Sequence, residues 1–583
     1  MNRETPKKYR TKIFNDLINW ILSKSETNNI LFIVEDLHWC DPSTIDLLKT
    51  LSENIPRSNI FMIVTYRTNF NPRWDIKSYF NQIVLNKLTK KHSVALINNL
   101  LDNMEVSEPV INELVRRSDG NPLFLEEMTK FMLANITGGN LESEFLNNTP
   151  VSLSGLLMAK LDMLEDEKDL IKLASVIGSE FSYMLIKEIS PYADEELTDM
   201  LNKLINAEVL YKKGIHPDIK YYFKHCLIQE TAYKSLLRSE KKAYHKKIAD
   251  VLEDIFSDSP ELQPELIAHH MTQAGLIEKA IRYLHIGAVS LIKNSAYTEA
   301  INHLRKAISL LDELDEFDTS RLTLELELLI SLGGVLRVIE GYSSLEAERT
   351  YERALDLTNK LGKESESFKV YRGLGGYYLA TADYKNAQEI SQKSLELSRK
   401  LSEPVHMIQA HYMLGAINFC QANLDEALMH TNAGISLYNP DKHSSSAYLY
   451  GHDPAVGCSF WNACSLWFIG LPDQAIERAN NALKHAESLS HNYSIANSLI
   501  LISAIHFFRR EPVKTYENAI ETLRISKEKG YEIFHAMGNM FEGGALMDIY
   551  DTDECILKIR EGLDRWNSIG AELFNSVWYA MKA

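Results

Sequence analysis

The chain opens on an amphipathic stretch. Ile13, Leu17, Ile18, Ile21 and Leu22 recur at helical spacing with Asn and Asp between them, which predicts a helix with one apolar face rather than a signal-peptide core. Two continuous apolar runs follow, at 30–34 and 59–65. Such runs predict strands buried on both faces of a sheet. Between them Asp41-Pro42-Ser43-Thr44 reads as a helix start, with Asp41 as cap and Pro42 at the first helical position. Ile45, Leu47, Leu48 and Leu51 then supply its apolar face. A shorter run at 82–85 is a third strand candidate, Leu88-Thr89 opens a helix, and Gly120-Asn121-Pro122 breaks the next one. Strands alternating with helices predict an α/β domain over 1–150.

The texture changes after residue 150. Leu153, Leu156, Leu157, Leu161 and Leu164 lie at helical spacing, and 181–189 and 195–205 read as further helices. Leu210-Tyr211 and Tyr221-Tyr222-Phe223 are candidate wing strands around the turn Gly214-Ile-His-Pro217. Helices followed by a small hairpin predict a winged-helix-like domain over 151–255. From 256 to 583 the pattern repeats. A small residue recurs at Ala300, Ala347, Ala387, Ala427, Ala475, Thr515 and Cys555, in steps of 47, 40, 40, 48, 40 and 40. Twelve positions earlier stand Ala288, Gly375, Gly415, Ala463, Ser503 and Gly543, and seven positions later Ala307, Ala354, Ser394, Gly434 and Ala482. Small residues let antiparallel helices approach closely, so about seven helical hairpins of period about 40 are predicted. The longer steps hold loops, one with Gly341-Tyr342-Ser343-Ser344 and one over 439–457. The last stretch, 571–583, reads as a first helix with Leu573, Phe574, Val577 and Trp578 uncapped.

Composition narrows the function classes. The 583 residues carry a formal charge of −17, and residues 1–150 account for only −1 of it. An acidic balance argues against a protein whose main task is gripping a phosphate backbone. The stretch 234–247 is locally basic (Lys234, Arg238, Lys241, Lys242, Lys246, Lys247), which keeps a transcription regulator as a lesser alternative. Cys40, Cys226, Cys420, Cys458, Cys464 and Cys555 form no C-x-x-C pair, so reduced thiols and a cytoplasmic location are expected. His269-His270 is too sparse for a metal site.

The candidate chemistry lies early. Glu35 and Asp36 end the first apolar run, where open sheets place ligands. One carboxylate there can hold Mg²⁺ and another can polarise a water beside a phosphate. Arg67 follows the second run and could reach a γ-phosphate.

The order Glu-Asp-Leu-His-Trp (35–39), Asp-Pro-Ser-Thr (41–44), Thr-Tyr-Arg (65–67) and Gly-Asn-Pro-Leu-Phe-Leu-Glu-Glu (120–127) resembles the regulatory ATPase module of signal-transduction AAA-like (STAND) proteins. It is most similar to the version found C-terminal to class III adenylate/guanylate cyclase domains. The resemblance implies Glu35 and Asp36 as Walker B acids, which would also hold Mg, Arg67 as the sensor-1 arginine and Pro122 as the proline near adenine. The stretch Tyr222–Tyr233 also matches the family pattern, which implies that His225 faces the nucleotide phosphates. ATP with Mg is the implied cofactor. A protein partner on the concave face of the repeats and an attached or separate cyclase-type output domain are the implied partners. The repeats resemble tetratricopeptide repeats. The fold class expected is therefore mostly α: a partial α/β P-loop-type domain, a winged helix, then an α-solenoid.

One departure is large. A P-loop needs G-x-x-x-x-G-K-[ST] so that backbone N–H groups and a lysine cradle phosphates. The only Gly-Lys pair is Gly362-Lys363, followed by Glu364 and lacking the earlier glycine. Only 34 residues precede Glu35. This leads to the expectation of a fragment, a split product or a truncated reading frame, with a pseudo-ATPase that serves as a nucleotide-independent scaffold as the alternative. Weak or absent hydrolysis follows. Glu35 and Arg67 are expected near one another at strand tips.

Overall fold

In the computed structural model, residues 6–582 are described except 73, 75–76, 103, 105, 135–149, 151, 165, 216–217, 257–262, 295, 340–342, 445–451, 530 and 551–552. Gly341 and Tyr342, and the His216-Pro217 half of the candidate wing turn, lie outside the described residues. The chain divides into two compact units, 1–74 with 284–583 and 75–283. These boundaries do not coincide with 1–150, 151–255 and 256–583.

The first unit begins with α1 (Pro6–Thr27), β1 (Ile30–Val34), α2 (Pro42–Asn54) and β2 (Ile60–Val64). Strands β1 and β2 pair in parallel, Ile30 opposite Ile60 and Val34 opposite Val64. Ile18 and Ile21 of α1 and Leu51 of α2 pack with Ile60, Ile30 and Phe32. Asp41 caps α2 by accepting from the Thr44 N–H at 2.9 Å, as its place before Pro42 predicts. The strands are not buried on both faces. Leu31, Ile33 and Phe61 are 59%, 54% and 69% exposed, because only one face of this sheet carries helices among the described residues. Residues 82–85 form no strand and Ile83, Val84 and Leu85 are exposed. A strand is defined by its ladder with a partner, and the sheet of β1 and β2 has no third strand among the described residues.

The second unit carries α3 (Lys90–Leu101), α4 (Glu108–Ser118), α5 (Pro122–Ala134), α6 (Leu153–Asp162), α7 (Lys168–Ile177), β3 (Glu180–Ser182), α8 (Tyr183–Ile189), α9 (Asp194–Asn206), β4 (Leu210–Lys213), β5 (Lys220–Phe223), α10 (Cys226–Ser235), α11 (Arg238–Phe256) and α12 (Pro264–Ala274). The two strand candidates at 210 and 221 pair antiparallel. Strand β3 joins the other edge of β5, so the helix expected from residue 181 starts only at Tyr183.

The repeat array runs through α13 (Ile277–Lys293), α14 (Tyr297–Leu310), α15 (Thr319–Ile339), α16 (Leu345–Leu361), α17 (Glu364–Ala380), α18 (Tyr384–Leu401), α19 (Pro404–Cys420), α20 (Leu424–Leu437), α21 (Pro454–Phe468), α22 (Pro472–Ser488), α23 (Asn492–Phe508), α24 (Pro512–Lys529), α25 (Glu532–Tyr550), α26 (Asp553–Ser568) and α27 (Asn575–Lys582). The periodic small residues are buried where the helices cross: Ala300, Ala387, Ala427, Ala475, Thr515 and Cys555 are all fully enclosed. First helices such as α19, α21, α23 and α25 pack on one another as well as on their second helices. That puts the first helices on the inner, tighter side of the curve. The turns inside the hairpins pass through the left-handed region at Ala382, Ala422, Gly470 and Arg510, so the repeat in sequence is also a repeat in backbone.

The last stretch is covered in part: Trp578 is buried, whereas Val577 and Tyr579 stay exposed. Trp578 packs on Trp566 and Phe541, and Phe574 lies against Phe419 and Trp461. The Glu572 N–H donates to Ala380 O at 3.0 Å.

The glycines of the array separate into two kinds. A methyl on Gly543 would stand 2.7 Å from the Cys555 carbonyl oxygen and 2.6 Å from Ile559, whereas one on Gly375 would meet nothing closer than 3.4 Å. Gly543→Ala is therefore expected to cost about 1–3 kcal/mol. Gly375→Ala is expected to gain up to about 1 kcal/mol from helix propensity. Urea unfolding of the two variants checks both signs.

Candidate functional site

Parallel pairing in register brings the ends of β1 and β2 side by side. Glu35 and Asp36 leave one strand tip, and Arg67 stands just beyond the other. Thr65 ties the tips together. Its N–H donates to Val34 O at 2.9 Å, its carbonyl accepts from the Leu37 N–H at 2.9 Å, and its hydroxyl accepts from the Asp36 N–H at 3.0 Å. Asp36 adopts φ 56°, a left-handed turn that Asp tolerates better than most residues. Glu35, Asp36 and Arg67 are all exposed. The Arg67 guanidinium lies 5.7 Å over the Trp39 ring, within cation–π reach.

His38 belongs to this tip and did not stand out in the sequence. Its side chain is 9% exposed and Nδ1 lies 3.9 Å from Asp36 Oδ1. Both ring nitrogens are buried without a hydrogen-bond partner. Trp39 and Phe70 flank the ring at 4.9 and 6.3 Å. The signal that could have pointed to it is its position two residues after Asp36, on the turn closed by Thr65. Ser43, at the start of α2, links this layer to the array: its N–H donates to Glu299 Oε1 at 3.0 Å.

Pro122 and His225 fall in the other unit. Pro122 opens α5. The turn before it needs Gly120, whose φ is 72° and where a Cβ would stand 2.6 Å from Leu88 O. Helix α5 carries Glu126 and Glu127. Glu127 Oε2 accepts from Lys160 Nζ at 2.9 Å, and its Oε1 is buried without a partner. Glu126 pairs with Lys130 at 2.8 Å, Lys130 reaches Glu208, and Lys224 reaches Glu208. His225 stands at the start of α10 with its Nε2 buried and unpartnered. Burial lowers its proton affinity, opposed by the charges of Glu127 and Glu126. The acids on the helix that Pro122 opens are thus the neighbours that His225 feels. Of the five residues singled out, Glu35, Asp36 and Arg67 stand at neighbouring strand tips, while Pro122 and His225 are linked only through Glu126 and Glu127, whose charges act on His225.

The fit to Mg·ATP is partial. Two exposed carboxylates and a guanidinium at parallel strand tips suit the metal and terminal-phosphate end of a nucleotide. The sequence supplies no glycine-rich loop to donate N–H groups to the other phosphates. Among the described residues no group of three His, Cys, Asp or Glu side chains is arranged to hold a metal ion. Among them, too, no helix is long and apolar enough to cross a membrane.

The repeat geometry agrees with a known family. Residues 366–439 match the tetratricopeptide repeat family. They cover α17 to α20, two of the hairpins described above. Over the whole chain, 23% identity links it to the uncharacterized protein R02095 of Rhizobium meliloti (strain 1021), and the chain spans 57% of that relative's length. Among solved structures, a STAND protein with a tetratricopeptide repeat sensor, PH0952 from Pyrococcus horikoshii, aligns over 97% of this chain and 85% of its own at 17% identity and TM-score 0.43. The Rap protein complexed with competence and sporulation factor aligns over 72% of this chain and 99% of its own at 10% identity and TM-score 0.39. Similarities this distant carry no function across.

Proposed function

We propose that the protein is a regulatory signalling module of the STAND type. The tetratricopeptide repeats sense a protein partner, the tip of β1 and β2 responds to nucleotide, and the two together set an output domain such as an adenylate/guanylate cyclase. The observation that carries this reading is the parallel register that sets Glu35, Asp36, Thr65 and Arg67 at one edge, on a layer bonded to the array through Ser43 and Glu299. In it, Glu35 and Asp36 would hold Mg²⁺ and Arg67 would pair with the terminal phosphate. The bound nucleotide supplies the charge that these groups sense. The small β3–β5–β4 sheet with its helices supports a winged-helix part between the two in sequence.

A second reading has its own support. The missing phosphate cradle favours a nucleotide-independent scaffold that works through the repeats alone. Titration with a fluorescent ATP analogue and Mg²⁺ separates them. Under the regulatory reading the protein binds, and Arg67→Ala weakens binding about tenfold, the loss of one charge-assisted phosphate contact of about 1.4 kcal/mol. Binding that is absent, or indifferent to both Arg67→Ala and Glu35→Gln, leaves the scaffold.

A further inference from the structure

The array departs from its own period just before α27. Gly362, Ser402, Ser490 and Gly570 all turn through the left-handed region between one hairpin and the next. After the first three of these turns a helix begins two residues later, at Glu364, Pro404 and Asn492, whereas after Gly570 it begins only at Asn575. The residues in between leave the course of the repeats and cross to inner helices. The Ser343 hydroxyl donates to Ile569 O at 2.8 Å, and the Glu572 N–H donates to Ala380 O at 3.0 Å. Ala380 ends α17, so its carbonyl has no partner within that helix. The Phe574 ring lies 6.4 Å from Phe419 on α19 and 6.0 Å from Trp461 on α21. Leu573 and Phe574 pack at once against the core around Leu379, Met413 and Trp461 and against the core of the last helices.

This crossing is held against local preference. Phe574 adopts φ 61°, a conformation that a bulky side chain avoids and that persists only where its surroundings impose it. Gly570 turns at φ 66°, where a Cβ would stand 2.6 Å from Ser343 Oγ. Asn575 Oδ1, Trp566 Nε1 and Trp578 Nε1 are buried beside the crossing without a hydrogen-bond partner. The unpaired groups and the strained backbone favour release. The aromatic contacts and the two hydrogen bonds favour closure. A contact balanced in this way is open to displacement by a competitor.

We propose that residues 569–574 are an internal ligand of the array. They strap the last helices to α17, α19 and α21, cover the surface formed by Ala380, Phe419 and Trp461, and are replaced when a protein partner engages that surface. The proposal rests on the partner-sensing reading above and adds what the partner must carry. To replace the strap it brings a free backbone N–H to Ala380 O and an aromatic side chain to Phe419 and Trp461, preceded by an aliphatic one at the place of Leu573.

The test uses the full-length protein and a fluorescein-labelled peptide of residues 569–579 of this chain, followed by anisotropy. The wild-type protein, its surface already taken, is expected to bind the peptide at least about tenfold more weakly than the Phe574→Ala protein, because affinity falls with the fraction of chains that are open. Ser343→Ala removes one tie of the strap without touching its aromatic contacts. It is expected to shift binding in the same direction by a smaller factor, and it keeps the test usable if Phe574→Ala does not fold. Tyr579→Ala, which removes an exposed ring on α27, is expected to bind like the wild type. The same peptide carrying Phe574→Ala is expected to bind none of these proteins, which separates the surface from general stickiness. The Glu572 amide, bonded to Ala380 O in the closed form, is expected to exchange its hydrogen faster in both strap variants. Equal binding of the peptide to the wild type and to both strap variants overturns the proposal, as does binding to none of them or equal binding of the substituted peptide. None of these results alters the nucleotide titration, so failure here leaves the regulatory reading standing with an inner face that the chain does not itself occupy.

Discussion

Asp453→Ala is expected to lose about 3–5 kcal/mol of stability, because three buried donors would be left without an acceptor. The carboxylate is fully enclosed. It caps α21 through two backbone N–H groups and anchors the Tyr438 hydroxyl. His485 Nε2 stands 3.4 Å from it, outside hydrogen-bonding geometry. Burial alone would raise the carboxyl's proton affinity, but the His485 ring, the Tyr438 hydroxyl and the Val456 N–H outweigh it and hold the group below the usual carboxylate range. A depressed carboxyl contributes stability above its unfolded value, and that contribution disappears as pH falls through its folded one. Asp453→Asn should keep part of the cap and fall between the two. Urea unfolding at neutral pH measures the loss, and a cost below about 1 kcal/mol would show that water takes over the cap.

Acid should weaken the second unit well above the carboxylate range. His245 and His270 are buried against each other, Nδ1 to Nδ1 at 2.8 Å, and Tyr233 Oη lies 3.0 Å from His245 Nε2. One facing nitrogen must carry a proton and the other must be bare. Protonating the bare one would set two N–H groups against each other. Burial, then the neighbouring His269 and Lys241, lower His245 to about 4. Burial, then His245 and His269, lower His270 to about 3. Both unfolded rings titrate near 6.5, so the unfolded state binds more protons throughout that interval. The stability is fully present above 6.5 and is lost as pH falls towards 4. Counted once for the coupled pair, the loss is about 3 kcal/mol. Hydrogen exchange of the α11 and α12 amides at neutral and mildly acid pH reads it. The double variant His245→Phe with His270→Leu should flatten the dependence, and an unchanged slope would assign acid sensitivity elsewhere.

Much of the local structure was legible in one dimension. The apolar runs at 30–34 and near 60–64 are strands because a short run ending in turn residues has no other way to bury itself. Asp41 before Pro42 set the start of α2. The hairpin at 210 and 221 was visible as two aromatic runs around a turn. The 40-residue step survived intact, since helix crossings demand small residues at fixed intervals and leave a periodic trace in the sequence.

The failures share one cause. The apolar residues of β1 and β2 predict two buried faces, yet burial depends on what covers them. The run at 82–85 has strand composition and, among the described residues, pairs with no strand. Leu573, Phe574, Val577 and Trp578 read as an uncovered surface in sequence; Val577 is exposed, but Phe574 finds Trp461 and Phe419, which lie far away in sequence.

What the sequence determined by itself was therefore periodic and local: helix starts, strand runs, the repeat step and the acids at a strand end. The tertiary structure decided which polar groups lose water. Arg372, Gln409, His452 and Asp453 sit on helices or turns where a single sequence reads ordinary polar residues. Only the approach of successive inner helices, which small residues such as Gly457 allow, takes them out of solvent. It leaves the Asp453 carboxylate satisfied and the Arg372 guanidinium bonded to Gln409 Oε1. Charge in water is unremarkable, and the same charge enclosed by neighbours distant in sequence is costly unless those neighbours satisfy it.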